Sequence, residues 1–190
     1  MSRITNLSDA RYCAGMGVDM LGFIIDPNHP DYVSPQRFQE MMGWISGPKR
    51  VVEFSIMETL NLDDVLAYYK PDLLHVPGST VMNHDYMNLP LVVDVAFENL
   101  LTFQSTLGGK SINLHTIVIT HLPGAEMPTS LLKSNGEYEV LLSLEKVTSP
   151  LKEILEKSGA NGFALQGSRE DVPGLKDYDH LSRILEELEV

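Results

Sequence analysis

Short apolar runs recur along the chain: MLGFII (20–25), RVVEF (50–54), DLLHV (72–76), PLVVDV (90–95), TIVIT (116–120), EVLLSL (139–144) and GFAL (162–165). Amphipathic stretches separate them, predicting helices at Ser8–Gly17, Pro35–Ile45, Leu62–Tyr69, Phe97–Thr106, Pro150–Ser158 and Tyr178–Leu188, with weaker ones near 82–87 and 128–134. Several of these carry end signals. Asn61 caps LDDVLAYY, Ser149 precedes Pro150 at a first turn, and Gly108 and Gly159 follow last turns. The alternation is that of parallel strands joined by helical crossovers.

Counting Arg3–Thr5 as a truncated first strand gives eight strands and eight crossovers, and no linker or low-complexity tract divides them. The expected architecture is a compact α/β (β/α)8 TIM barrel, one domain over 1–190, at about 24 residues per unit. An open doubly wound sheet is the runner-up. It would place a glycine fingerprint after its first strand, where this chain has TNLSDAR.

Composition narrows the partners. With 14 Lys and Arg against 26 Asp and Glu, the net charge of -12 repels nucleic acid and anionic membrane surfaces. No apolar run reaches membrane-spanning length and the start lacks a signal-peptide pattern, so the expectation is a cytoplasmic protein. The one cysteine, Cys13, lies in a helix-like run and reads as core packing. No Cys/His cluster has zinc-ligand spacing, and neither a metal nor another cofactor is implied.

Four ordered segments carry a more specific signal. ITNLSDARYCAGMGVDMLGFI (4–24) follows the pattern ITN-x-x-DA-x-x-A-x-x-G-A-D-x-x-GFI, and PNHPDYVSP (27–35) follows P-x-S-P-R-Y-V-S-P. LLHVPG (73–78) matches a strand end QLHG, and EDVPGLKD (170–177) matches E-S-x-P-G-x-K-D. The chain thereby resembles phosphoribosylanthranilate isomerase of tryptophan biosynthesis, a small (β/α)8 barrel, over nearly its whole length.

That resemblance implies an Amadori rearrangement, which needs a general acid at the ring oxygen and a general base at C2 of the sugar. In the family the base is a Cys ending the first strand and the acid an Asp ending the strand matched here by TIVIT. These positions read Ser2 and Thr120, or His121 if the register slips by one. A serine hydroxyl does not hold a thiolate-like charge near neutral pH. Thr120 cannot donate a proton as a carboxylic acid does, whereas His121 could. The loop Arg that pairs with the substrate carboxylate reads Asp31, reversing the charge. A Gly-rich loop is replaced by HLPGAEMPTS (121–130), and a phosphate-facing Gly-Gly reads Glu145-Lys146. The last anion-binding segment reads Gln166-Gly167-Ser168-Arg169-Glu170, where Gly167, Ser168 and Arg169 could still hold an anion.

Other candidates stand on the residues themselves. His75 either fixes its neighbourhood by hydrogen bonds or contacts a ligand. Asp94 lies two residues past Val92 on the same strand face and is either a site carboxylate or a solvated rim residue. Asp26 ends a strand, where barrel active sites form, or makes an Asx turn before Pro27. Glu170 reads as a local cap, and the methionines as packing. A free amine on Ser2 after loss of Met1 would be a further base, and the short start is consistent with a coding start upstream.

The substitutions cluster at catalytic and ligand positions while the scaffold segments persist. The expectation is an isomerase-related barrel lacking the ordinary Amadori activity and binding a small anionic or sugar-phosphate ligand. The alternatives are an active isomerase using substitute groups such as His121 and Asp94, and a non-catalytic interaction protein whose mouth is filled by Met or Tyr.

Overall fold

The computed structural model describes residues 1–54, 61–81, 89–107, 112–121, 136–143, 150–167 and 179–188. In chain order these contain α1 (Leu7–Gly15), β1 (Met20–Ile24), α2 (Pro35–Met42), β2 (Lys49–Glu53), α3 (Leu62–Tyr69), β3 (Leu73–Pro77) and α4 (Gly78–Val81). They continue with β4 (Leu91–Ala96), α5 (Leu100–Leu107), β5 (Leu114–Thr120), β6 (Glu139–Ser143), α6 (Leu151–Ser158), β7 (Gly162–Ala164) and α7 (Asp179–Leu188). All seven strands are parallel and neighbours in sequence order, the topology of a (β/α)8 barrel. The weaker helices near 82–87 and 128–134, Gly108, Glu145-Lys146, Ser168, Arg169 and Glu170 lie outside the described residues.

The N-terminal segment closes the ring. Ser2 N–H donates to Leu165 O at 2.8 Å and Gly167 N–H donates to Ser2 O at 2.9 Å, while on the other side Gly22 N–H donates to Met1 O at 2.7 Å and Ile4 N–H to Gly22 O at 2.9 Å. The truncated strand therefore pairs through Met1–Ile4, a shift from the expected Arg3–Thr5. Arg3 has a left-handed φ of 57°, which breaks the extended run that the sequence suggested.

Alternation along each strand makes two apolar layers. Phe23, Val52, Leu74, Val93, Ile117 and Leu142 face the helices, where Phe38 stacks edge-on to Phe23 at 5.0 Å. Val51, Leu73, Val92 and Val118 face inward and form the barrel interior. Cys13 is fully buried in the outer layer, as core packing requires.

Helix ends follow local chemistry with three revisions. Asn61 Oδ1 accepts the Asp63 N–H and Gly159 takes a left-handed φ of 72°, both as read from sequence. Helix α1 starts before Ser8, because Asn6 Oδ1 accepts the Asp9 N–H at 2.9 Å. Helix α2 is capped by Ser34 and stops at Met42 instead of Ile45. Pro150 occupies the cap of α6 and offers no side-chain acceptor, and the Leu151 N–H donates instead to Glu187 of α7 at 2.6 Å. Among the described residues no helix is long and apolar enough to cross a membrane.

Gly167 marks where closure is tightest, since an added Cβ would lie 2.9 Å from Arg3 O and 3.3 Å from Ser2 O. Gly167→Ala must push the two ends of the sheet apart, and a loss of about 1–3 kcal/mol is expected, read as a lower urea midpoint at unchanged m-value.

Candidate functional site

The carboxyl ends of the strands surround a mouth of about 190 Å3. Inward positions near each strand's end supply it: Ser2, Glu53 on β2, His75 on β3, Asp94 on β4, Thr120 on β5 and Ser143 on β6. Strand alternation sets these positions. Val51 and Val92 belong to the barrel interior, so Glu53 and Asp94, each two residues further along, face the same way.

Four of these side chains form a connected row. Ser2 Oγ donates to Glu53 Oε2 at 2.7 Å, Glu53 Oε1 lies 3.6 Å from His75 Nδ1, and His75 Nε2 donates to Asp94 Oδ1 at 2.9 Å. Glu53 and His75 are nearly enclosed, whereas the Asp94 side chain is 41% exposed and faces the opening. Gly22 provides the room, because an added Cβ there would lie 1.8 Å from Glu53 Oε1.

Burial disfavours charge on both central groups, and their partners overcome it. For His75, burial works against the imidazolium, but hydrogen bonds to Asp94 and Glu53 raise it from 6.5 to about 10. For Glu53, burial alone would raise the carboxyl, yet the bonds from His75 and Ser2 hold it below its ordinary 4.5. The row is thus an imidazolium between two carboxylates, with one net negative charge. Asp94, at its open end, is placed to accept a hydrogen bond from a ligand hydroxyl or amine.

The candidates read from sequence divide. Ser2, His75, Asp94 and Thr120 come together at the mouth. His121 is exposed, left-handed at φ 53° and outside the mouth lining, so Thr120 occupies this end of β5. Asp26 Oδ1 accepts the Asn28 N–H at 2.9 Å, the Asx turn before the loop, and does not line the mouth. Asp31 is buried at 7% exposure, and its N–H donates to His29 Nδ1 at 3.1 Å. It is His29 that reaches the mouth from this loop. The Gly167 N–H is spent on Ser2 O, and Ser168 and Arg169 lie outside the described residues. Among the described residues, no group of three or more His, Cys, Asp or Glu is arranged to hold a metal.

Glu53, His29, Arg3, Ser143 and Gln166 line the mouth but were not among the candidates. Glu53 carried a usable signal: an acid in the apolar run RVVEF, in phase with an inward Val. Burying such a carboxylate demands a partner, which points to a polar interior.

The comparisons with known proteins agree with the fold. No family model matches the chain. It is 22% identical over 191 residues to the N-(5'-phosphoribosyl)anthranilate isomerase of Sulfurihydrogenibium sp. (strain YO3AOP1), covering 96% of this chain and 94% of that protein. Among solved structures it is similar to phosphoribosyl anthranilate isomerase from Thermotoga maritima, with a TM-score of 0.71 at 18% identity over 98% of this chain and 96% of that one. A phosphoribosyl anthranilate isomerase in complex with reduced 1-(o-carboxyphenylamino)-1-deoxyribulose 5-phosphate also matches, with a TM-score of 0.71 at 17% identity over 98% and 95% of the two chains. The resemblance read from the sequence motifs thus extends to the whole chain and to its fold.

Two outcomes follow from the Glu53 row. Gly22→Ala displaces the Glu53 carboxylate from Ser2 and His75 and should cost about 1–3 kcal/mol in chemical unfolding. The same substitution made together with Glu53→Ala should cost clearly less than the sum of the two singles, and strict additivity would refute the contact. The pH dependence has a defined sign. His75 has its proton in the folded state up to about pH 10 but loses it near 6.5 when unfolded. Its stabilisation is therefore complete below about 6.5 and decays as pH rises towards 10. The buried Met1 amine, held below its ordinary 8.0, contributes a slope of opposite sign to parent and variant alike, so between pH 6 and 9 the urea midpoint should lose more, or gain less, in the parent than in His75→Gln. Equal slopes would show that His75 is not the group responsible.

Proposed function

We propose that this chain is a phosphoribosylanthranilate isomerase-type barrel of the cytoplasm that does not perform the ordinary Amadori rearrangement and binds a small sugar phosphate or related anion at its mouth. The observation that carries the reading is the state of the two reaction positions. Ser2 stands where the resembling family keeps its basic Cys, and its hydroxyl is committed as donor to Glu53. Thr120 stands at the acid position, and a threonine hydroxyl does not protonate a ring oxygen near neutral pH.

The mouth supports a ligand of modest size. Its volume of about 190 Å3 is below the roughly 300–1,000 Å3 usual for drug-sized ligands, which suits a single phosphorylated sugar better than an aryl-substituted one. Arg3 supplies a permanent cation for phosphate, and Asp94, Thr120, Ser143 and Gln166 offer acceptors and donors for sugar hydroxyls. Neither Met nor Tyr is among the described lining residues, which speaks against a mouth plugged by side chains.

A second reading keeps the isomerase activity with substitute groups. It is favoured by Asp94, an open carboxylate 2.9 Å from the His75 imidazolium, whereas His121 is not among the described lining residues of the mouth. Expression in a tryptophan auxotroph lacking this isomerase separates the two. The expected result is no growth without tryptophan, and growth at the normal rate would replace the first reading by the second. In parallel, ribose 5-phosphate should raise the melting temperature of the purified protein where ribose and inorganic phosphate at equal concentration do not.

A further inference from the structure

The mouth is divided by charge. The seven strands and the Met1–Ile4 segment form a ring in chain order, so β4 stands across the opening from Arg3, four positions away in either direction. One way round, from Ser2 over the vacancy at Gly22 to Glu53, His75 and Asp94, the lining is the row of charged side chains. The other way round it is Thr120 on β5, Ser143 on β6 and Gln166 after β7, two hydroxyls and an amide. One half of the rim is ionic and the other is neutral.

Charge balance in the ionic half is incomplete. His75 is one cation between two carboxylates, and the surplus negative charge lies at the Asp94 end, because Glu53 is the enclosed member. Arg3 supplies the opposite pole. After an inward Ser2 an extended strand would turn the next residue outward, but the left-handed φ of 57° breaks the alternation and Arg3 lines the mouth. Among the described residues the Lys and Arg ion pairs are Arg50 with Asp72 and Lys157 with Glu153, so neither pole is cancelled by a fixed side chain of that kind. At Asp94 a ligand carboxylate would be repelled, and a hydroxyl would donate but leave the surplus charge. An ammonium both donates and cancels it.

We propose that the mouth selects an aminosugar phosphate, a sugar carrying a phosphate at one end and a free primary amine at the other. The phosphate pairs with Arg3, the ammonium with Asp94, and the hydroxyls between them meet Thr120 and Ser143. This specificity rests on the sugar-phosphate reading of the same mouth and adds the group that sets the ligand apart from other sugar phosphates. A primary amine titrating near the α-amino range of about 7.7–8.0 is a cation at pH 7. The phosphate carries about −1.5 to −2 charges there. Such a ligand is a dipole laid across the opening, antiparallel to the one formed by Arg3 and Asp94. An arylamine nitrogen carries no charge near neutral pH and leaves the Asp94 pole unmatched.

The test is equilibrium titration of the full-length protein at pH 7 with glucosamine 6-phosphate, glucose 6-phosphate and N-acetylglucosamine 6-phosphate. Glucosamine 6-phosphate should bind about fivefold tighter than the other two, which keep the phosphate and lack the cation. In Asp94→Asn the three should bind within about twofold of one another, whereas Arg3→Gln should weaken all three and keep their order. The comparison within the parent needs no variant, so a poorly folded Asp94→Asn does not remove it. Equal affinity of the three ligands in the parent would overturn the amine assignment and leave the sugar-phosphate reading standing. Binding of ribose 5-phosphate with none of the three bound would do the same. No binding of any of the four would overturn both.

Discussion

A carboxylate held ionised inside a barrel organises this structure. Moving an isolated ion into an apolar interior costs several kcal/mol even after relaxation, so Glu53 is tolerated only with its partners in place. Ser2 and His75 are those partners, and Asp94 in turn holds the far nitrogen of His75. Each comes from a different strand. The closure of the sheet by Met1–Ile4 brings Ser2 within 2.7 Å of Glu53, so the pairing that completes the barrel also completes the charge row. Fold and site are in this sense one constraint.

Most of the architecture was legible from periodicity. Apolar runs spaced by amphipathic segments have few foldable outcomes, and the strands β1 to β7 fall on the apolar runs of the sequence. Local caps such as Asn61 and Gly159 were legible because their chemistry is contained within a turn. What escaped depends on distant partners. The register of the N-terminal segment is set by β1 and β7 together, and a left-handed Arg3 has no signature in five residues of sequence. The first turn of α6 is satisfied by Glu187, 36 residues later, which no local pattern announces.

At the mouth the same division holds. Asp94 and His75 were legible because alternation from apolar neighbours points them inward. Glu53 obeys the same rule, but an acid within an apolar run invites the reading of a strand edge until its partners are known. The choice between Thr120 and His121 turned on a single residue of register, and the ladder to β4 pairs Thr120 with Ala96 as the last residue of β5, with His121 beyond it. Asp31 shows the opposite limit: its side chain is buried beside His29, and it is His29 that lines the opening.

The contact between Gly22 and Glu53 makes the two positions interdependent. A Cβ at Gly22 would stand 1.8 Å from the Glu53 carboxylate oxygen, so a side chain there displaces the acid from Ser2 and His75. Which residue either position tolerates therefore depends on the residue at the other.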